Sequence, residues 1–317
     1  MRDPASHASG VHRVTAVETH LSWVFLTESH AYKLKKPARS ALFDYTTLEA
    51  RRRACETELR LNRRIAPNVY LAVVPVVRHG DGLRVEGAGA PVEWLVKMRR
   101  LPADLMLDAR IAQQAVSPAA VDHLTQTLVR FYATAERAAF SGPSYRARLF
   151  AEIESKQRSL EQPRYGLRVA DVQGVAAAQR RWLETHAELL EGRASSIVDA
   201  HGDLRPEHVC LEPEPVVIDC LDFDRDLRLL DPVSELSFLA LECRRLGASW
   251  IGDRLLVRYA EATGDRPPDT LVRFYESYHA MIRAAVAVWH LDDGVVTRRD
   301  FWRERGNVYL GLARELV

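Results

Sequence analysis

The chain has 317 residues, which exceeds the usual size of a single domain and predicts two lobes. Its 44 basic and 43 acidic side chains nearly cancel to a formal charge of +1, so the overall charge favours no nucleic acid partner. The four cysteines form no C-x-x-C pair, and neither a signal peptide nor an apolar run of roughly 20 residues is apparent. We therefore expect a reduced, cytoplasmic protein that does not span a membrane.

The N-terminal third is rich in segments with the pattern of β-strands. Residues 1–10 are polar, and we expect them to be flexible. Six short apolar or alternating segments follow and are predicted to be strands: 11–19, 22–27, 31–35, 71–78, 83–86 and 93–98. The second and third of these are separated by a short polar turn, which predicts a hairpin. Lys33 and Lys35 lie two positions apart on one strand and therefore share one face.

Residues 46–65 predict a helix that Thr47 can cap. Six arginines lie between Arg51 and Arg64, a density that raises the question of nucleic acid binding. Acids are interleaved with these arginines, and no aromatic side chain is present to stack on a base. The sequence therefore argues against a nucleic acid site on this helix.

Beyond about residue 100 the chain becomes mainly helical. The predicted helices cover 118–139, 146–161, 170–191, 233–246, 250–263, 268–291 and 298–315. Asp231 precedes Pro232, an arrangement that predicts an N-cap or a loop anchor at the start of one of these helices.

Residues 201–224, HGDLRPEHVCLEPEPVVIDCLDFD, interrupt the helical region. Two apolar triplets, 209–211 and 216–218, flank a turn with two prolines, which predicts a tight hairpin. Asp203 precedes the hairpin and Asp219 follows it, so the hairpin is expected to bring these two carboxylates together. One carboxylate beside a hydroxyl can accept its proton, and a second can hold a divalent cation against phosphate oxygens.

This segment resembles the catalytic loop of the aminoglycoside phosphotransferases and their choline-kinase-like relatives. In that family the loop is H-G-D-x-x-x-x-N, followed after a short hairpin by Ile-Asp. His201, Gly202 and Asp203 match the first part, and Ile218 with Asp219 matches the second. The chain departs at one position, because His208 stands where the family has a metal-binding Asn.

The resemblance implies an α+β, two-lobed protein-kinase-like fold. It implies a small antiparallel-sheet, nucleotide-binding lobe over 11–100 and a mainly helical, catalytic and substrate lobe over 101–317. The hinge between lobes is expected at residues 98–102, where the backbone from Met98 onward would pair with adenine. No Gly-rich loop precedes the lysine strand, which argues against a protein kinase, and no G-x-x-x-x-G-K-[ST] motif occurs.

The resemblance also assigns roles within an ATP- and Mg²⁺-dependent small-molecule kinase. Lys33, in an A-x-K match, or Lys35 as the close alternative would neutralise phosphate charge. Glu58 would hold that lysine, with Glu56 as the other candidate. The catalytic loop would supply Asp203 as the residue that orients and deprotonates the substrate hydroxyl, and His201 as its brace.

The same resemblance assigns Asp219 to Mg²⁺ and leaves the role of His208 open. Imidazole is a poorer ligand than oxygen for Mg²⁺. Either one metal suffices, or His208 binds the ion less tightly, or Mn²⁺ is tolerated. Asp222, Asp224 and Asp226 are expected to be surface charges, with Asp222 also able to assist the metal.

Two alternatives remain open from the sequence. His201, Asp203, His208 and Asp219 could form the site of a metal-dependent hydrolase. The change at position 208 is also compatible with a catalytically impaired, kinase-like nucleotide-binding module. If the protein is a kinase, its acceptor is a small molecule of aminoglycoside-, sugar- or aminoalcohol-like type, and no oligomeric state is indicated. For a polycationic acceptor, acids at 292–293 and 222–226 are the candidates.

Overall fold

The computed structural model describes residues 1–40, 42–292 and 298–317. These residues group into two compact units. Unit 1 comprises Met1–Gln114, His201–Asp203 and Glu207–Arg228, and unit 2 comprises the described part of Ala115–Ala200, Leu204–Pro206 and Leu229–Val317. None of the helices in the described ranges combines the length and the apolar composition needed to cross a bilayer.

The strands lie mainly in unit 1. In chain order they are β1 (Thr15–Glu18), β2 (Ser22–Leu26), β3 (His30–Lys35), β4 (Tyr70–His79), β5 (Gly82–Val85), β6 (Pro91–Arg99), β7 (Val198–Asp199), β8 (Val209–Cys210), β9 (Val216–Val217) and β10 (Leu229–Leu230). The first six form one antiparallel sheet in the order β1-β2-β3-β6-β4-β5. Each of the six segments predicted to be strands in the N-terminal third is thus confirmed.

The helices lie mainly in unit 2. In chain order they are α1 (Leu48–Asn62), α2 (Leu107–Ala112), α3 (Pro118–Thr134), α4 (Gly142–Leu160), α5 (Val169–Thr185), α6 (Ala187–Gly192), α7 (Pro232–Arg245), α8 (Ser249–Thr263), α9 (Asp269–Trp289) and α10 (Arg299–Leu316). The single helix predicted over 170–191 is wrong. It is interrupted at His186, where φ and ψ of −118° and 30° leave the helical region.

Helix α1 packs on the sheet of unit 1 and begins where its cap predicts. Thr47 Oγ1 accepts a hydrogen bond of 3.1 Å from the amide of Ala50. The side chain of Cys55 is buried against Ala31 and Val96 of the neighbouring strands. The contact fixes the face of α1 that points toward β3 and β6.

The hairpin predicted around residue 213 is confirmed as β8 and β9. Val209 pairs with Val217 and Cys210 with Val216, so each strand is two residues long. Val216 and Ile218 pack against the same buried cluster that holds α1 to the sheet. The hairpin is therefore anchored in the core of unit 1 immediately before Asp219.

In unit 2, Asp231 caps α7, as predicted. Its Oδ1 accepts a hydrogen bond of 3.0 Å from the amide of Val233, and Pro232 occupies the first helical position. Arg193 pairs with Asp231 at 2.7 Å and with Asp265 at 2.6 Å. Asp231 is thus both a cap and a loop anchor.

Candidate functional site

Two lysines of β3 and one glutamate of α1 form the centre of a buried ion-pair network in unit 1. Lys33 Nζ lies 3.0 Å from Glu58 Oε1, and Lys35 Nζ lies 2.6 Å from Glu58 Oε2. Lys33 also pairs with Asp219, and Lys35 with Asp222, both in the loop after β9. The acid–lysine network therefore runs Asp219–Lys33–Glu58–Lys35–Asp222 and joins β3, α1 and that loop.

The pairing in this network follows from burial, because a buried charge is tolerated only beside a partner. The side chain of Glu58 is 0% exposed, that of Lys35 5% and that of Asp222 9%. The side chain of Asp219 is 45% exposed, so it is the acid of the network that solvent reaches most readily. Three carboxylates face two ammonium groups, which leaves one negative charge in excess when all are ionised.

The lysines keep two of these acids ionised. Burial alone would raise the pKa of the Glu58 carboxyl, but the charges of Lys33 and Lys35 outweigh it and hold that pKa below its usual range. Burial would also raise the pKa of the Asp219 carboxyl, but the Lys33 charge outweighs it and holds that pKa well below its usual range. At Asp222 burial prevails and raises the pKa. Asp219 is therefore a half-exposed carboxylate that stays charged at neutral pH.

The loop from His201 to Asp203 has a conformation that requires glycine at position 202. The φ of Gly202 is +86°, and a Cβ there would lie 2.9 Å from Arg228 Cγ and 3.1 Å from Leu221 Cβ. The glycine therefore allows the loop to pass close beside the residues after β9.

His201 links this loop to β9. Its Nδ1 lies 3.3 Å from the Asp203 amide, which donates, so Nε2 carries the proton and donates to the Ile218 carbonyl at 2.9 Å. The ring is fully buried, and burial lowers the pKa of His201 to about 3. A neutral ring with both nitrogens engaged supports the bracing role implied by the resemblance.

His208 lies between the two carboxylates that the hairpin was expected to bring together. Its Nδ1 donates to the Asp203 carbonyl at 2.8 Å and lies 3.7 Å from Asp203 Oδ2. Its Nε2 lies 3.6 Å from Asp219 Oδ2. One imidazole thus spans the distance between Asp203 and Asp219, which confirms that they meet at one place.

Of the two glutamates of α1 that were candidates to hold the strand lysine, the structure favours Glu58. Glu58 reaches both lysines, whereas Glu56 is exposed and pairs with Arg52 at 3.0 Å. Met98 lies on β6, which pairs with β3 and β4, and its side chain is 7% exposed within the buried cluster that contains Cys55. Backbone recognition of a nucleotide from this position onward stays a prediction.

Two expectations about the acids change. Asp222 was expected at the surface, but it pairs with Lys35 and only 9% of its side chain is exposed. Asp292 is bound to Arg164 at 2.9 Å and accepts from the Tyr165 hydroxyl at 2.5 Å, so its charge is already partnered. Asp293 lies outside the described residues.

The structure gives the hydrolase alternative no support. His201 would have to offer a ring nitrogen to the metal, but one of its nitrogens accepts from an amide and the other donates to a carbonyl. Over residues 1–40, 42–292 and 298–317, no group of three or more His, Cys, Asp or Glu side chains has an arrangement that could hold a metal ion.

Known proteins are similar to this chain over most of its length. The model of the phosphotransferase enzyme family matches residues 27–275. An uncharacterised protein of Mycobacterium tuberculosis is 30% identical over an alignment of 311 residues, and the alignment covers 87% of this chain and 55% of that protein. The chain thus spans about half the length of the curated relatives it matches.

Solved structures of kinases share the fold. A choline/ethanolamine kinase family protein from Mesorhizobium loti aligns with a TM-score of 0.56 at 13% identity, covering 97% of this chain and 94% of that one. Glucosamine kinase in complex with glucosamine, ADP and inorganic phosphate aligns with a TM-score of 0.53 at 13% identity, covering 96% and 77%. The predicted α+β, protein-kinase-like fold is confirmed.

Proposed function

The chain belongs to the phosphotransferase enzyme family, and from this premise we propose that it transfers the γ-phosphoryl group of ATP to a hydroxyl group of a small molecule. The acceptor would be of aminoglycoside-, sugar- or aminoalcohol-like type. The observation that carries the proposal is the acid–lysine network. In it, strand lysines, a helix glutamate and the acid after a hairpin meet beside the loop of residues 201–203, here called the HGD loop. Phosphoryl transfer needs chiefly positioned charge, and this network supplies it.

The residues present fit a divalent cation beside a nucleotide. The network has an excess of acid over lysine, and the half-exposed Asp219 carboxylate stays ionised. Asp219 would hold Mg²⁺, with His208 beside it, and Lys33 would meet phosphate oxygens. When bound, the metal would neutralise charge on the terminal phosphates. Mn²⁺ would be tolerated, because Mn²⁺ accepts an imidazole ligand more readily than Mg²⁺ does.

Asp203 would act on the acceptor. Its side chain is 28% exposed, and its backbone is fixed from two sides by His201 and His208. A carboxylate held in this way can orient a substrate hydroxyl and take its proton as the phosphoryl group leaves ATP. His201 would keep the loop in place without itself titrating near neutral pH.

A catalytically impaired, nucleotide-binding module is the second candidate function. The observation that favours it is His208, which occupies the position of the family's metal-binding Asn. In that case ATP would bind beside the lysines, and no acceptor would be phosphorylated.

The test combines nucleotide binding with turnover. Thermal shift with ATP–Mg²⁺, ATP–Mn²⁺ and Zn²⁺ measures which ligand stabilises the protein, and ADP release is then screened against a library of hydroxyl-bearing metabolites and antibiotics. We expect stabilisation by the nucleotide and ADP release with at least one acceptor. Asp203→Asn should still be stabilised by ATP but release no ADP.

Each contrary result has a definite meaning. Stabilisation by Zn²⁺ with none by nucleotide would overturn the kinase proposal. Stabilisation of the wild type by ATP, with no acceptor phosphorylated across the library, would favour the binding module instead.

A further inference from the structure

Two consecutive backbone amides after β9 donate to buried side chains. The amide of Asp219 donates to the Tyr70 hydroxyl oxygen at 3.0 Å. The amide of Cys220 donates to Asn62 Oδ1 at 2.9 Å. The backbone that carries the candidate metal acid is therefore held by side chains of β4 and α1.

This backbone needs such support because its conformation is unfavourable. Asp219 has a φ of +63°, in the left-handed region that residues other than glycine seldom occupy. Such a conformation persists when surrounding contacts fix it. The two hydrogen bonds also give these consecutive amides acceptors, as backbone donors in a packed region require.

The two supporting side chains are themselves rigidly placed. Tyr70 is 1% exposed and lies opposite Met98 in the sheet. Asn62 is fully buried at the end of α1, and its Nδ2 donates to the Glu58 carbonyl at 2.9 Å. Asn62 thus connects the turn of α1 that carries Glu58 with the loop that carries Asp219.

We propose that Tyr70 and Asn62 are positioning residues that set the Asp219 carboxylate for metal binding. Neither side chain reaches a reacting atom in this account, because each acts through a backbone amide of the loop. The inference rests on the proposed function, since it concerns the same metal and nucleotide site. It adds two residues that no catalytic motif contains.

A purely structural role would give a different signature. Loss of a buried hydrogen bond lowers stability wherever it lies, whereas a positioning role changes the metal dependence of turnover. The informative quantities are therefore the Mg²⁺ concentration that gives half-maximal ADP release at saturating ATP and acceptor, and the Mg²⁺ concentration that gives half of the thermal shift with ATP in the absence of acceptor.

The experiment compares Tyr70→Phe with Tyr309→Phe. Both substitutions delete one buried hydroxyl, and Tyr309 donates to Glu242 in unit 2 at 2.7 Å. For Tyr70→Phe we expect the half-maximal Mg²⁺ concentration to rise about tenfold, the effect of losing one hydrogen bond of typical strength. The KM for ATP at saturating Mg²⁺ should remain near the wild-type value. Tyr309→Phe should lower the melting temperature and leave the Mg²⁺ dependence unchanged.

The outcomes separate this inference from the function on which it rests. If the wild type neither binds nucleotide nor releases ADP, the proposed function fails and the positioning role fails with it. If the wild type is active and Tyr70→Phe has a wild-type Mg²⁺ dependence, the positioning role alone is overturned. If Tyr70→Phe does not fold, Asn62→Ala is judged by the same measurement and the same two results.

Discussion

The residue that most distinguishes this site is His208. Its two ring nitrogens face Asp203 and Asp219, so it occupies the space between the candidate base and the candidate metal acid. The oxygen of an Asn suits a hard ion better than imidazole does. The residue at position 208 should therefore affect which ion the proposed site prefers.

His208→Asn tests this view. We expect the half-maximal Mg²⁺ concentration to fall by about fivefold, and to fall relative to the half-maximal Mn²⁺ concentration, because an oxygen ligand replaces a nitrogen. ADP release measured against each metal gives both quantities. His123→Asn, an exposed site on α3, is the control. An unchanged ratio of Mg²⁺ to Mn²⁺ dependence would mean that His208 has no part in metal binding.

The two lysines of β3 should have different roles although both contact Glu58. Lys33 pairs with the half-exposed Asp219, whereas Lys35 pairs with the buried Asp222. We expect Lys33→Met to lower turnover by about 10²-fold or more, as loss of a charge at the reacting phosphates does. Lys35→Met should chiefly lower the melting temperature, because it removes the lysine that pairs with Asp222 and leaves Glu58 with Lys33 alone. The reverse pattern, with the larger loss of turnover in Lys35→Met, would assign phosphate binding to Lys35.

At the scale of elements, the HGD loop depends on one glycine. Gly202→Ala should destabilise the protein by about 1–3 kcal/mol and depress turnover, because its positive φ and the nearby Arg228 side chain leave no room for a Cβ. Gly174→Ala is the matched control, since Gly174 lies in α5 with no heavy atom within 4 Å of the added Cβ. That substitution should stabilise the helix by up to about 1 kcal/mol. Urea unfolding measures both, and equal effects would contradict the account of the loop.

Local patterns predicted the elements well where the responsible interactions are local. The cap at Thr47 and the cap at Asp231 lie within a few residues of the amides they accept from. Helix α2 was missed because it is six residues long and has no side-chain cap. The break at His186 was missed because no Gly or Pro marks it.

The candidate site was predictable only in part. The residues of the HGD loop and Asp219 have a recognisable spacing in the sequence, and Asp203 and Asp219 lie on either side of one imidazole in the structure. The burial of Asp222 and the contacts of Tyr70 and Asn62 depend on partners about 150 or more positions away, as the Lys35–Asp222 separation of 187 shows. Sequence spacing contains no signal for such contacts.

At the scale of the whole molecule, two buried histidines predict a loss of stability below neutral pH. Burial lowers the pKa of His201 and of His279 to about 3. A folded-state pKa below the unfolded value gives stability that is complete above pH 6.5 and is lost as the pH falls toward 3. Each histidine should therefore remove about 2 kcal/mol of unfolding free energy between pH 7 and pH 5.

The comparison of wild type with His279→Gln isolates this effect. Burial raises the pKa values of Asp222 and Glu276, so their protonation increases the unfolding free energy as the pH falls. This effect is present in both proteins and cancels in the comparison. Urea unfolding at pH 7 and pH 5 should show a loss that is about 2 kcal/mol smaller in the variant. Equal losses in the two proteins would show that His279 does not stay neutral in the folded state.

We propose that a phosphoryl group moves from ATP to an organic hydroxyl at the site formed by Asp203 and Asp219. The most direct measurement follows a labelled γ-phosphate of ATP in the presence of an acceptor that supports ADP release. We expect the label in the phosphorylated acceptor with the wild type and no labelled acceptor with Asp203→Asn. Label found only in inorganic phosphate, or transferred equally well by Asp203→Asn, would contradict it.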